Sequence, residues 1–173
     1  MLTKDPRSDV EKVRLFRDRF GGLEHVHGTY DPANGRSWQV KQPVTNTVVT
    51  DHLLGRRPLG IYLLTGTHTR ALAVDYDRDD LEPPRTFIER CGHYGIDSYI
   101  EVSKRKGYHV WVFFGPEGVP AAKARAVTHH ILEELGHRVE VFPKQDTIDL
   151  AQGECGNFIN LPLFAPLVVQ GRT

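Results

Sequence analysis

The sequence predicts an α+β fold whose second half runs β-α-β-β-α-β, preceded by an α/β extension. Three observations predict it. An apolar run, Ala71–Asp77, precedes a helix-like stretch beginning near Pro84. Two further apolar runs, Ser98–Val102 and Tyr108–Phe114, are joined by the tight basic connection Lys104-Arg105-Lys106-Gly107 and read as paired strands. Ala121–Leu135 is then rich in Ala, Leu and Glu, as a helix should be, and Arg138–Phe142 is a last strand stopped by Pro143.

In chain order, Ser8-Asp9-Val10-Glu11 has the form of a capping box. Val13, Phe16 and Phe20 then recur at helical spacing until Gly21-Gly22 stops the helix. Residues 23–43 lack a clear period and read as loops or short strands. A second helix is expected from about Val44 to Leu54, ending at Gly55, and Leu59–Leu64 is a short apolar strand. Phe87 and Ile88 mark the helix after Ala71–Asp77, Gly115-Pro116 breaks the third core strand, and Asn157–Leu163 reads as an additional strand. The expected organisation is one domain over residues 1–173, with 1–65 as an N-terminal α/β part and 66–173 as the core. It is read as either a minimal version or a piece of a longer protein.

Composition narrows the class. Hydrophobic content of 39% and 25% charged residues describe an ordinary soluble domain. No apolar run is long enough to cross a bilayer, and Met1–Pro6 lacks a leader layout, so no membrane partner is expected. Cys91 and Cys155 form no CxxC, which argues against a disulfide framework or structural zinc and favours a reducing, cytoplasmic setting. Lys plus Arg and Asp plus Glu number 22 each, unlike the strongly basic balance of dedicated nucleic-acid binders. Any grip on phosphates must therefore be local.

The chemistry gathers around Asp75 and Asp77. Strand parity puts both on one face, about 7 Å apart along the backbone, and the alanines at 71 and 73 leave room on that face. Two carboxylates converging from that spacing can hold divalent cations roughly 3.5–4 Å apart. An isolated D-x-D closing a strand is more often a simple turn, so the reading depends on partners. The usual spatial order of a β-α-β-β-α-β sheet is fourth, first, third, second, which sets Asp75 and Asp77 between His109 and Glu140. In register, Ser103, His109 and Glu140 face the same side. The turn Ser103–Gly107 offers backbone and cations to a triphosphate, Lys144 and Gln145 leave the fourth strand near the same edge, and Asn157 and Asn160 offer two more amides that ordinary turn and edge chemistry also explains. His129 and His130 stand four residues before Glu133 and Glu134 as helix-surface pairs, and His25-Val26-His27 lacks a third ligand.

These residues resemble the motifs of the archaeo-eukaryotic primase superfamily, the primase-polymerases, and most resemble the compact branch of prokaryotic defence systems, CRISPR-associated members included. Val74-Asp75-Tyr76-Asp77 is similar to the first motif, Ser103 through Phe114 to the second, and Val139–Gln145 to the third. Gly156–Leu163 is similar to the segment that follows, and His52–Gly55 and Leu59–Tyr62 to the upstream region. The resemblance covers roughly residues 45–165. It departs at Glu140, where many relatives carry Asp, and in lacking a zinc-binding Cys/His cluster.

The resemblance implies a primase-polymerase fold and template-directed nucleotidyl transfer from dNTPs or NTPs, as DNA primase or DNA polymerase. Asp75, Asp77 and Glu140 would be catalytic and hold two Mg²⁺ or Mn²⁺ ions. Ser103, Arg105, Lys106, His109, Lys144, Gln145 and Asn157 would bind the nucleotide. DNA template and primer, further domains and CRISPR or other defence proteins are the implied partners, in replication or repair chemistry of a prokaryotic cell. Two alternatives stand beside it. A non-catalytic RNA-recognition-motif-like module is suggested by Lys106–Phe113, although two acids on the first strand repel phosphates. A two-metal nuclease suits the same acids but lacks an evident water-activating base.

Overall fold

The computed structural model describes residues 6–173; Met1–Asp5, within the stretch read above as lacking a leader, lie outside the described residues. In chain order the elements are α1 (Asp9–Arg19), β1 (His27–Tyr30), β2 (Ser37–Val40), α2 (Asn46–Leu53), β3 (Gly60–Tyr62), β4 (Leu64–Thr65), β5 (His68–Thr69) and β6 (Ala71–Tyr76). There follow α3 (Glu82–His93), β7 (Tyr99–Val102), β8 (Tyr108–Phe113), β9 (Val119–Pro120), α4 (Ala121–Glu134), β10 (Glu140–Phe142), β11 (Phe158–Asn160) and α5 (Ala165–Val168). The chain is thus a mixed α/β protein with antiparallel sheets and five α-helices among the described residues.

Local chemistry sets the helix starts. The Glu11 amide donates to Ser8 Oγ and the Ser8 amide to Glu11 Oε2, closing the expected capping box. Thr45 Oγ1 accepts from the Val48 amide, so α2 begins at Asn46 rather than at the expected Val44. α3 begins at Glu82 with prolines in its first turn, where a missing N–H costs nothing.

The central sheet has the order β10-β6-β8-β7, every pair antiparallel. One face presents Leu72, Val74, Tyr76, Val110 and Val141 to Phe87 and Cys91 of α3 and to Ile131 and Leu132 of α4. The other presents Ala71, Ala73, Trp111 and Phe142 to a second core with Val13 and Phe16 of α1, Val49 of α2, Ile61 and Ile159. The space expected above the alanines is therefore filled: Phe20 packs edge-on against Trp111 and Phe113 with centroids 5.0 and 5.2 Å away.

The N-terminal layer is a sheet of order β11-β3-β1-β2. The expected strand near Asn157–Leu163 exists as β11, and its partner is β3, from the first 65 residues, rather than a core strand. A third small sheet, β4-β5-β9, was not anticipated. Its two-residue strands carry too little pattern to be read. Both cysteines are free, and among the described residues no helix is long and apolar enough to cross a membrane.

Candidate active site

Strand register builds the site. Glu140 pairs with Asp75, Asp75 with His109, and His109 with Glu101, so four ionisable side chains form one row across β10, β6, β8 and β7. Residues directly opposite on neighbouring strands share a face, so the row lies on the Ala73–Trp111 side, at the rim of that core. β6 ends at Tyr76, one residue earlier than expected; Asp77 follows it, exposed. Asp75, Asp77 and Glu140 line one open groove of about 720 Å³, which continues past Arg78, His137 and Arg138.

The row is tied together through His109. Its Nδ1 lies 2.9 Å from Glu101 Oε2, the same oxygen that accepts a 2.7 Å bond from Trp111 Nε1. Nε2 faces Asp75 Oδ1 at 3.5 Å. Glu101 and His109 are buried, a costly state for charges unless they are paired. Burial pushes the His109 pKa down, yet the Glu101 charge and hydrogen bond, helped by Asp75, outweigh it, and the net direction is upward. For Asp75 burial raises the pKa, His109 opposes that, and the acids at 77, 140 and 101 push it further up. Repulsion among these acids is what a bound cation relieves. An all-oxygen carboxylate set suits a hard divalent ion such as Mg²⁺ or Mn²⁺. As the side chains lie, no three His, Cys, Asp or Glu among the described residues converge on a single point. Glu140 Oε2 is held 2.7 Å from Lys144 Nζ, whose carbon stem also places the ammonium over the Phe142 ring.

The anchors expected around the row divide into groups. Ser103 is buried, and its Oγ donates to the Lys106 carbonyl at 2.6 Å while its amide donates to the Gly107 carbonyl, closing the turn. Gly107 sits at φ 78° with its α-carbon against the Tyr76 carbonyl, so the turn is packed on the end of β6. Lys106 points outward, exposed. Arg105, expected to face a nucleotide, donates to the Asn34 carbonyl at 2.7 Å and clamps the N-terminal layer. Lys104 lies 4.0 Å above the Tyr30 ring, and its pKa is lowered by burial and by Arg105. Gln145 Nε2 donates to Asn157 Oδ1 at 2.7 Å, leaving Gln145 Oε1 and Asn160 Oδ1 buried without partners. Arg125 of α4 fixes this segment, bonding to the Pro143 carbonyl at 2.6 Å and to Asp146. His130 pairs with Glu134 at 3.5 Å, as the helix spacing suggested.

The structure therefore brings Asp75, Asp77, Glu140, His109 and Lys144 together. It sets Gln145 and Asn157 on the segment that leaves β10, and uses Arg105 elsewhere. Glu101 was not singled out from sequence. Its signal was present: counting outward from Arg105 at the turn's centre, 101 lies as far back as 109 lies forward. Arg78 and Arg138 were also missed, since nothing local distinguishes them from surface cations. Residues 31–173 match a family model described as the archaeo-eukaryotic primase domain of the TOTE conflict system. No curated protein matches the chain.

Proposed function

The chain belongs to the archaeo-eukaryotic primase domains of TOTE conflict systems, a family of primase-like nucleotidyltransferases in a defence setting, and we propose that it performs template-directed nucleotidyl transfer on DNA. One observation carries the reading: the cross-strand row that sets Glu140 and His109 on either side of Asp75, with Asp77 in the same groove. We read the sheet and its two helices as the ferredoxin-like core of the family.

In the proposed reaction a primer 3′-hydroxyl attacks the α-phosphorus of a nucleoside triphosphate. The new O–P bond forms as the hydroxyl gives up its proton to solvent and the α–β anhydride breaks, and pyrophosphate leaves. Asp75, Asp77 and Glu140 would hold two Mg²⁺ or Mn²⁺ ions, with Glu140 released from Lys144. Such ions, when bound, acidify the 3′-hydroxyl and offset charge on the triphosphate. His109 presents Nε2 beside Asp75, fixed from behind by Glu101, and supplies a donor for a phosphate oxygen. Lys144, freed from Glu140, offers a second cation at the same edge, and Lys106 and Ser103 shape the far side. Gln145 and Asn157, bonded to each other beyond β10, would meet the sugar or base.

Incubating the protein with primed template, labelled dNTPs or NTPs and Mn²⁺ tests the reading. Extension that disappears in Asp75→Ala/Asp77→Ala, with the circular-dichroism spectrum unchanged, is the expected result. Extension retained by that variant sinks the mechanism. Degradation instead of extension would indicate the nuclease, and metal-independent binding alone the non-catalytic module.

A further inference from the structure

A second surface, away from the carboxylate row, has the chemistry of a polynucleotide site. Trp38 lies on β2, the edge strand of the N-terminal sheet, and is 46% exposed, whereas Trp111 is 2% exposed in the core. An indole that packs in no core but sits on an open edge is available for stacking. Beside it runs a groove of about 590 Å³ whose lining includes Trp38, Val40, Gln42, Arg56 and Arg57. Arg36, exposed immediately before β2, has the same strand parity as Trp38. Arg56 is paired with Asp51 at 2.9 Å, while Arg57 makes no ion pair among the described residues. In a chain of zero formal net charge, Arg36, Arg56 and Arg57 around one exposed tryptophan are a local concentration rather than a general excess.

Tyr30 and Asp31 also line the groove. The Tyr30 ring lies beneath Lys104, and the loop that follows is clamped by Arg105 at Asn34. Both cations belong to the turn that joins β7 to β8, the two strands carrying Glu101 and His109. The groove thus shares Tyr30 with the turn that borders the row.

We propose that the β2 edge and its groove bind single-stranded nucleic acid, with Trp38 stacking on a base and Arg57 and Arg36 meeting phosphates. Aromatic stacking is tolerant of sequence and arginines track the backbone, which suits a strand read base by base elsewhere. The proposal rests on the polymerase reading for its role, and on the surface alone for its existence.

The test is a titration of the full chain with a twenty-nucleotide oligothymidylate, without divalent metal or nucleotide, followed by tryptophan emission and, with the oligonucleotide radiolabelled, by filter binding. Trp38 emission should be quenched, and in Trp38→Phe, which retains only buried Trp111, the signal should not respond. Trp38→Ala should weaken binding about tenfold. Arg57→Gln should flatten the log K against log salt slope by about 0.7, the value for one phosphate contact on a single strand. Asp75→Ala/Asp77→Ala should bind as the parent does, so a failed polymerase reading leaves this result standing. Unchanged affinity in both Trp38→Ala and Arg57→Gln overturns the proposal. So does equal preference for duplex without quenching, or variants that alter sedimentation but not oligonucleotide binding, which would mark the edge as a contact between copies.

Discussion

Lowering the pH from 7.5 to 5 should weaken the fold chiefly through His52. Its ring is fully buried; Nδ1 accepts from the Leu59 amide at 3.0 Å, and Nε2 lies 2.7 Å from the Pro162 carbonyl. A carbonyl only accepts, so the proton belongs on Nε2, and both nitrogens of the neutral ring are satisfied. A second proton would have to sit on Nδ1, against the Leu59 N–H. Burial accordingly pushes the pKa down to about 4 from the ordinary 6.5, with the Pro162 bond opposing it. A histidine depressed in this way contributes stability that is complete above the unfolded value and is lost as pH falls toward the folded one.

Between those limits the full loss is about 3 kcal/mol, because each tenfold drop in proton affinity on folding is worth about 1.4 kcal/mol. By pH 5 the unfolded ring is almost wholly charged and the folded ring almost wholly neutral, so about 2 kcal/mol has already gone. With a urea slope of roughly 2 kcal/mol/M, the unfolding midpoint should drop by about 1 M. Burial also lowers His27 and His137, so the parent alone does not isolate the effect. His52→Gln does: it keeps a donor for Pro162, costs about 1–3 kcal/mol at pH 7.5 through the orphaned Leu59 amide, and carries no titrating ring. Urea unfolding at both pH values should show the variant losing about 2 kcal/mol less than the parent. Equal losses in the two proteins would refute the assignment.

Three further perturbations bear on the site. Glu101→Ala leaves the His109 and Trp111 N–H groups unaccepted and should raise the KM for nucleotide more than it lowers kcat, while Glu101→Gln, which retains an acceptor, should recover part of the loss; equal effects in steady-state kinetics would make Glu101 merely structural. Gly107→Ala meets both the positive φ and the Tyr76 carbonyl, so urea unfolding should register a destabilisation of about 1–2 kcal/mol or more. Lys144→Ala frees Glu140 and removes a cation, so tighter activation by Mn²⁺ should accompany a weaker KM for triphosphate in metal titrations of extension activity.

How far the sequence carried depended on whether pattern or distance decided each feature. β6 and β8 are mostly apolar runs and α4 a long run of helix formers, so their limits agree to within a residue or two. The opposition of Asp75 to His109 and Glu140 followed from strand order and parity. Distance decided the rest. β11 has three residues and could join either sheet; its pairing with β3 depends on a partner almost a hundred positions earlier. Arg105 and Lys104 looked like phosphate anchors because long cations on a turn have no fixed direction in a sequence. Only the Asn34 carbonyl and the Tyr30 ring, far away in the chain, show where they go.

The acids of the row are held together by their apolar neighbours. Val141 pairs with Val74 and Phe142 with Ala73, and a slip of one residue would turn Glu140 into the α3–α4 core while exposing Val141. Burying Val141 stabilises by about 1.5–3 kcal/mol, whereas two like charges directly opposite on a sheet cost about 1 kcal/mol at most. The hydrophobic register wins, and the repulsion stays stored at Asp75, whose pKa is raised by burial and by the surrounding acids. A raised folded value means the ionised carboxylate is less comfortable in the fold than in the unfolded chain. At pH 7.5 in EDTA, Asp75→Asn should therefore melt higher than the parent while losing extension activity. Millimolar Mg²⁺ should then raise the melting temperature of the parent and leave that of the variant unchanged. A variant that melts lower in EDTA would show that the bond to His109 outweighs the repulsion, and that the row is a structural ion-pair chain rather than a cation site.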